Sequence, residues 1–207
     1  MEIHLQNIGR RFNHEWIFKN VHYTFQPNKK YALLGINGSG KSTLLQVISG
    51  ALTPSQGALV YTLNSQIIAA ENYYQYLSLA APYLELIEEF SLTEVLDFHF
   101  KFKKRVKNLD NEGIISLLGM QQSQHKAIKY FSSGMKQRVK LALSFCADTP
   151  ILLLDEPTSN LDTQGIQWYL DMVTQFSTGR ITIICSNQTI EYGFCDAFIN
   201  IADYKTR

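Results

Sequence analysis

Residues 30–50 leave the backbone little choice. An apolar strand pattern, Lys30–Leu34, runs straight into Gly35-Ile36-Asn37-Gly38-Ser39-Gly40-Lys41-Ser42-Thr43. A helical pattern follows, with Leu44, Leu45, Val47 and Ile48 on one face and Gly50 placed to stop it. The stretch from Gly35 to Ser42 matches G-x-x-x-x-G-K-[ST] in full. A polyphosphate needs many donors within a small arc. Glycines at 35, 38 and 40 allow the backbone N–H groups to converge, and the helix that follows adds its positive end. Lys41 brings a point charge to the outer phosphates, and Ser42 offers a hydroxyl to Mg²⁺. A polyphosphate with Mg²⁺ is the expected ligand pair.

Two further segments carry chemistry. Ile151-Leu152-Leu153-Leu154 is an apolar strand that ends in Asp155 and Glu156. A buried parallel strand delivers its C-terminal residues to the ligand edge of a sheet. Asp155 is placed to hold Mg²⁺, and Glu156 to polarise a water aimed at the γ-phosphate. Alone, this pair would read equally as a solvated turn; the glycine-rich turn upstream selects the functional reading. Tyr130-Phe131-Ser132-Ser133-Gly134-Met135 places Ser132 and Gly134 at the start of a helix, a second anion site. Such a tip is redundant unless it serves a second nucleotide, and in isolation it is a plain capped helix.

Composition narrows the rest. Nineteen Lys and Arg against 18 Asp and Glu leave a net charge of +1, so no bulk positive field exists for a nucleic-acid partner. Cys146, Cys185 and Cys195 are too far apart for a CxxC site and odd in number, as expected of reduced cytosolic thiols. The uncharged stretch from Ser42 to Ala70 is broken by Gln46, Gly50, Pro54 and Gly57, and MEIHLQNIGRRF lacks the apolar core of a signal peptide. Any membrane role must come through a partner.

Strands are expected over Glu2–Ile8, Val21–Phe25, Lys30–Leu34, Ala58–Tyr61, Tyr76–Ala80, Ile151–Leu154, Arg180–Cys185 and Phe198–Ile201. Helices are expected from a capping box at Ser91–Glu94 to about Lys103, over Asn111–Leu118, from Ser133 to about Ala147, from about Asp162 to Phe176, and near Thr189–Phe194. The alternation predicts an α/β fold with a mostly parallel central sheet, antiparallel strands at the N-terminus and an inserted α-helical subdomain. One domain over 1–207 is expected, with its core at 1–82 and 148–207 and the insertion at about 83–147.

Four blocks in this order, GINGSGKST, FSSGMKQR, ILLLDEPTSNLD and the turn from Cys185 to Gln188, resemble the nucleotide-binding subunit of ATP-binding cassette (ABC) transporters. The resemblance covers essentially the whole chain. It implies a P-loop NTPase that pairs head to tail with a second copy of itself around two ATP molecules. Ser132 and Gly134 would then touch the γ-phosphate bound by the other copy. Asp162 matches the loop that crosses between the sites, and Phe12 falls where the family places a ring on the adenine. An integral-membrane permease subunit would be driven by this ATPase from the cytoplasmic face of the membrane, with residues 83–90 receiving its coupling helix.

The chain departs from the family at three points. Phe131-Ser132-Ser133-Gly134-Met135 stands where the family reads LSGGQ. The family's glutamine after the strand preceding the helical insertion would fall at about Pro82, and none is there. The family's switch histidine is replaced by Asn187, a neutral donor that can stabilise transition-state charge only weakly. Each lost charged contact could cost on the order of 2–4 kcal/mol of barrier, so slow but real hydrolysis is expected. A soluble ABC ATPase, for example of the iron–sulfur assembly type, and an ATP-gated regulatory module are the rival readings. The basic run Lys101–Lys107 reads first as a solvated helix end.

Overall fold

A computed structural model describes residues 1–205. The N-terminal half is built on an antiparallel sheet. Strands β1 (Glu2–Phe12) and β2 (Glu15–Phe25) form a long hairpin closed by Asn13 and His14. Both are longer than their alternation suggests. Asn7 and Asn20 adopt left-handed φ values of 53° and 57°, and each breaks the two-residue period. The break at Asn7 accounts for burial of Ile8 on the same side as Ile3 and Leu5. Strand β4 (Gln56–Leu63) pairs with β1, and a short β5 (Gln66–Ile68), with no sequence signal of its own, completes the order β2-β1-β4-β5.

The second sheet is parallel throughout. It runs in the order β6 (Leu77–Ala80), β7 (Ile151–Asp155), β8 (Ile181–Cys185), β3 (Lys30–Leu34) and β9 (Ala197–Asn200). Strands β7 and β8 are buried along their whole length, which explains their unbroken apolar runs. Its register sets one row across the five strands: Ala80, Leu154, Ile184, Ala32 and Phe198. Because the strands run the same way, the loops after β6, β7, β8 and β3 all emerge at one edge.

Helix α1 (Lys41–Ile48) follows β3 and buries Leu44, Leu45, Val47 and Ile48 between the two sheets, in a core shared with Ile3, Phe18, Phe25, Leu153 and Ile183. Ser49 caps its end and Gly50 follows at φ 77°. Helices α2 (Leu92–Phe102), α3 (Asn111–Leu118) and α4 (Ser133–Phe145) lie in sequence between β6 and β7. Ser91 and Glu94 form the reciprocal capping box at the start of α2. These helices pack with α5 (Thr163–Phe176) on the other face of the parallel sheet, and Leu96, Ile114, Val139, Leu152, Leu154 and Tyr169 form one continuous core there. A short α6 (Thr189–Tyr192) leads to β9. All three cysteines are free and buried.

Arg180 ties these layers together from within. It is 7% exposed, and its guanidinium donates to the Phe145 carbonyl at 3.1 Å, Ser78 Oγ at 2.8 Å and Thr149 Oγ1 at 2.7 Å. Burial pushes its pKa down to about 10. Removing the guanidinium strands several buried acceptors. Arg180→Leu is therefore expected to lower the unfolding free energy by about 3 kcal/mol, read from urea denaturation.

Candidate functional site at the carboxyl edge of the parallel sheet

The turn after β3 adopts a conformation that only glycine supports easily. Gly35, Gly38 and Gly40 have φ values of 150°, 72° and 106°. A Cβ at Gly40 would also lie 2.4 Å from Ile17 Cγ2, so strand β2 presses directly on the turn. No side chain caps α1, and its first turn contains no acidic residue. Its free N–H groups and positive end therefore face the cavity uncompensated. Lys41 is 5% exposed and folds back so that Nζ donates to the Gly35 carbonyl at 2.7 Å and the Ile36 carbonyl at 3.3 Å. A cavity of about 200 Å³ is lined by Asn37 to Thr43, Glu156 and Ile17. An anion there would meet convergent donors on one side and a carboxylate on the other.

Asp155 ends β7 at the floor of this edge. It is 1% exposed, and neither carboxylate oxygen has a hydrogen-bond partner. Burial raises its pKa to about 6; the Ser42 hydroxyl and Lys41 oppose that rise, while Glu156 and Glu191 add to it. An orphaned buried carboxylate beside a hydroxyl fits a hard cation. Mg²⁺ takes one or two carboxylates together with substrate phosphates rather than an all-protein cage. Among the described residues no cluster of three or more His, Cys, Asp or Glu side chains could hold a metal ion. Glu156 is exposed, with a left-handed φ of 42°. That conformation costs a non-glycine residue roughly 1–3 kcal/mol. Its N–H donates to the Cys185 carbonyl at 2.9 Å, which turns the side chain out of the strand toward the cavity.

The turn after β8 reaches the same place. Asn187 Nδ2 donates to Asn37 Oδ1, linking this turn to the glycine-rich one. Behind it the buried carboxylate of Glu191 accepts from the Thr158 N–H at 2.7 Å and from the Thr158 hydroxyl. No motif marks Glu191 in the chain; its fully enclosed position is what identifies it.

The other predicted residues stand apart from the cavity. Ser132 caps α4, its oxygen accepting from the Met135 N–H at 3.2 Å, and its hydroxyl proton stays free to donate. A Cβ on Gly134 would lie 2.9 Å from the Asn160 carbonyl oxygen, so this tip packs on the loop that follows Glu156. Asp162 caps α5 through the Gly165 N–H at 2.8 Å. Phe12 is 47% exposed at the end of β1, with the Arg10 guanidinium 4.6 Å above its ring, and does not line the cavity. Sequence reasoning missed Ile17 because its half of β2 lies ahead of the recognisable alternation. Tyr83, which the sequence marks only as the start of the segment 83–90, has its phenol pKa pushed up to about 12, chiefly by desolvation.

A parallel sheet whose edge gathers a glycine-rich phosphate turn, an uncapped helix and a terminal acidic pair defines a P-loop nucleotide-binding protein. Residues 18–159 match the family model for the ABC transporter domain, and the chain belongs to that family. It is an ATP-binding subunit and an ATPase of the ABC class. It is 29% identical over 196 residues to the ABC transporter ATP-binding protein YybJ of Bacillus subtilis, covering 94% of this chain and 89% of the relative. It is 28% identical to the lantibiotic transport ATP-binding protein SrtF of Streptococcus pyogenes, covering 90% and 80%. Its fold is that of a solved ATP-binding subunit of an ABC transporter (TM-score 0.81, 22% identity, 97% and 85% covered). It also matches part of a bacterial Atm1-family ABC exporter with ATP bound (TM-score 0.80, 18% identity, 96% and 37% covered).

The raised pKa of Asp155 has a definite sign. The folded protein holds the proton more tightly than the unfolded chain, so the ionised carboxylate destabilises the ligand-free fold as pH rises through about 6. Asp155→Asn is expected to be more stable than wild type at pH 8 by on the order of 2–3 kcal/mol. The difference should vanish below about pH 4, as followed by thermal melting without nucleotide.

Proposed function

We propose that this chain is the motor subunit of a transporter, closing on a second copy of itself around two ATP molecules and driving a separate integral-membrane permease. The observation that carries this reading is the pairing of an uncapped, glycine-led helix with the orphaned Asp155 carboxylate. Neither is a good arrangement for an empty protein, and each is satisfied by a phosphate with its cation.

In this reading the N–H groups from Asn37 to Thr43 cradle the phosphates. Lys41 leaves its two carbonyls for the outer phosphate oxygens. Ser42 and Asp155 hold Mg²⁺, which supplies charge neutralisation on the phosphates. Glu156 orients a water and accepts its proton. Asn187, anchored on Asn37, offers a neutral donor to the γ-phosphate. Phe12, outside the cavity lining, serves the adenine only at its rim. Ser132 and Gly134 serve the site of the other copy, with Asp162 in the loop between them. Their distance from this chain's own cavity supports such an arrangement, because a second anion tip has no use at home. Two such sites related by a two-fold axis form an isologous pair.

Residues 83–147, with helices α2, α3 and α4, form the subdomain that receives the permease. A groove of about 380 Å³ runs between residues 82–88 and α4, lined by Pro82, Leu84, Leu86, Ile128, Lys136 and Lys140. Lys136 and Glu88 bridge it at 2.5 Å. No described helix is long and apolar enough to cross a membrane. In this reading the permease holds the chain on the cytoplasmic face.

Glu156→Gln should retain Mg-ATP, lose turnover at least a hundredfold and run as a dimer on gel filtration with ATP. Lys41→Met should bind no ATP under the same conditions. A wild type that neither binds Mg-ATP nor dimerises as Glu156→Gln rules the reading out. Measurable turnover in the wild type separates it from a regulatory module that only binds. Co-purification of a multi-spanning protein, weakened by Leu86→Ala with Phe90→Ala, separates it from a soluble ATPase.

A further inference from the structure

We propose that Glu191, together with Gln137, is a positioning residue for Glu156. The two buried side chains clamp the two residues that follow Glu156 and so hold its carboxylate at the cavity. This rests on the reading of Glu156 as the group that orients the attacking water. The backbone shows the need for a clamp. Glu156 carries a left-handed φ of 42°, a conformation that persists only where the surroundings impose it. Before it, its N–H is fixed to the Cys185 carbonyl. After it, Gln137 Nε2 donates to the Pro157 carbonyl at 2.9 Å. The Glu191 carboxylate accepts from the Thr158 N–H at 2.7 Å, and the Thr158 hydroxyl donates to the same oxygen. Gln137 and Glu191 are 2% and 1% exposed, so water does not compete for these bonds.

The arrangement is more than the fold requires. A buried carboxylate is costly to desolvate and is weak support for stability. Among the described residues its donors are the two groups of Thr158 alone. A carboxylate devoted to one loop residue, two places after Glu156, is placed to govern that loop. The holders are themselves anchored. Gln137 lies in α4, three residues after Gly134. Glu191 lies in α6, where its N–H bonds the Gln188 carbonyl and its own carbonyl accepts from the buried Tyr169 hydroxyl, each at 2.9 Å. Glu156 is thereby tied to the turn that carries Asn187 and to the helix that begins beside Ser132. None of these bonds involves residues 37–43 or Asp155, so the clamp acts on turnover and leaves nucleotide retention alone.

In the full chain, Glu191→Leu should lower kcat about tenfold, the worth of one to two hydrogen bonds. The Kd for Mg-ATP should stay within about twofold. In a Glu156→Gln background the same change should alter the remaining turnover by less than about twofold, because the group it acts through is already disabled. Glu191→Gln keeps an acceptor and should stay within about threefold of wild-type kcat. Thr158→Val keeps the N–H and loses the hydroxyl, so it stands in should Glu191→Leu not fold; its kcat should fall about threefold to fivefold. Unchanged kcat in Glu191→Leu, or in Thr158→Val where it stands in, overturns this inference alone. So does Mg-ATP binding that weakens in step with kcat, or an equal fall in the Glu156→Gln background, since the loss then does not pass through Glu156. A Glu191→Gln as slow as Glu191→Leu also overturns it. A Glu156→Gln as fast as wild type overturns the reading of Glu156 and this inference together.

Discussion

Everything at the functional edge depends on the register of one parallel sheet. The row Ala80, Leu154, Ile184 and Ala32 fixes four strands so that their exits coincide. Residues 81–83, 155–156, 186–187 and 35–41 are then neighbours although they span most of the chain. The strands are held from below by burial on both faces and by Arg180, whose guanidinium joins β6, α4 and the loop before β7. A slip of one residue in β7 would send Asp155 away from Ser42 and turn Leu154 toward the cavity.

The electrostatics of that edge are unbalanced in the empty protein. The start of α1 carries partial positive charge that no side chain answers, and Lys41 is occupied only by backbone carbonyls. Asp155 is buried without a donor, and Glu156 holds a left-handed backbone. These are features a packed core would avoid, and their concentration in one place marks a site shaped for a ligand rather than for stability. A polyphosphate with its cation satisfies the helix end and the carboxylate together, so ligand binding and folding stability are linked through the same few atoms.

Much of this was legible in the chain. The strand–turn–helix around Gly35 to Ser42 is encoded by neighbours in sequence: glycines at forced positive φ, an apolar strand before and an apolar helix face after. The apolar run into Asp155 and Glu156, the capping box at Ser91 and Glu94 and the helix Asn111–Leu118 are equally local. The first hairpin was less legible. Asn7 and Asn20 insert bulges that break its two-residue alternation, so the strand segments 9–12 and 15–20 carry no clean pattern. Gln66–Ile68 is a strand only because β4 offers it an edge.

Local chain preferences suffice for the phosphate-binding turn, the acidic pair and most of the strands and helices, because each rests on backbone preferences and periodicities over fewer than about 15 residues. Long-range packing sets which distant side chains meet them. Ile17 presses on Gly40, Asn187 reaches Asn37 and Glu191 accepts from Thr158. Those meetings depend on strand register and on helices packed across the sheet, and no short-range preference contains either.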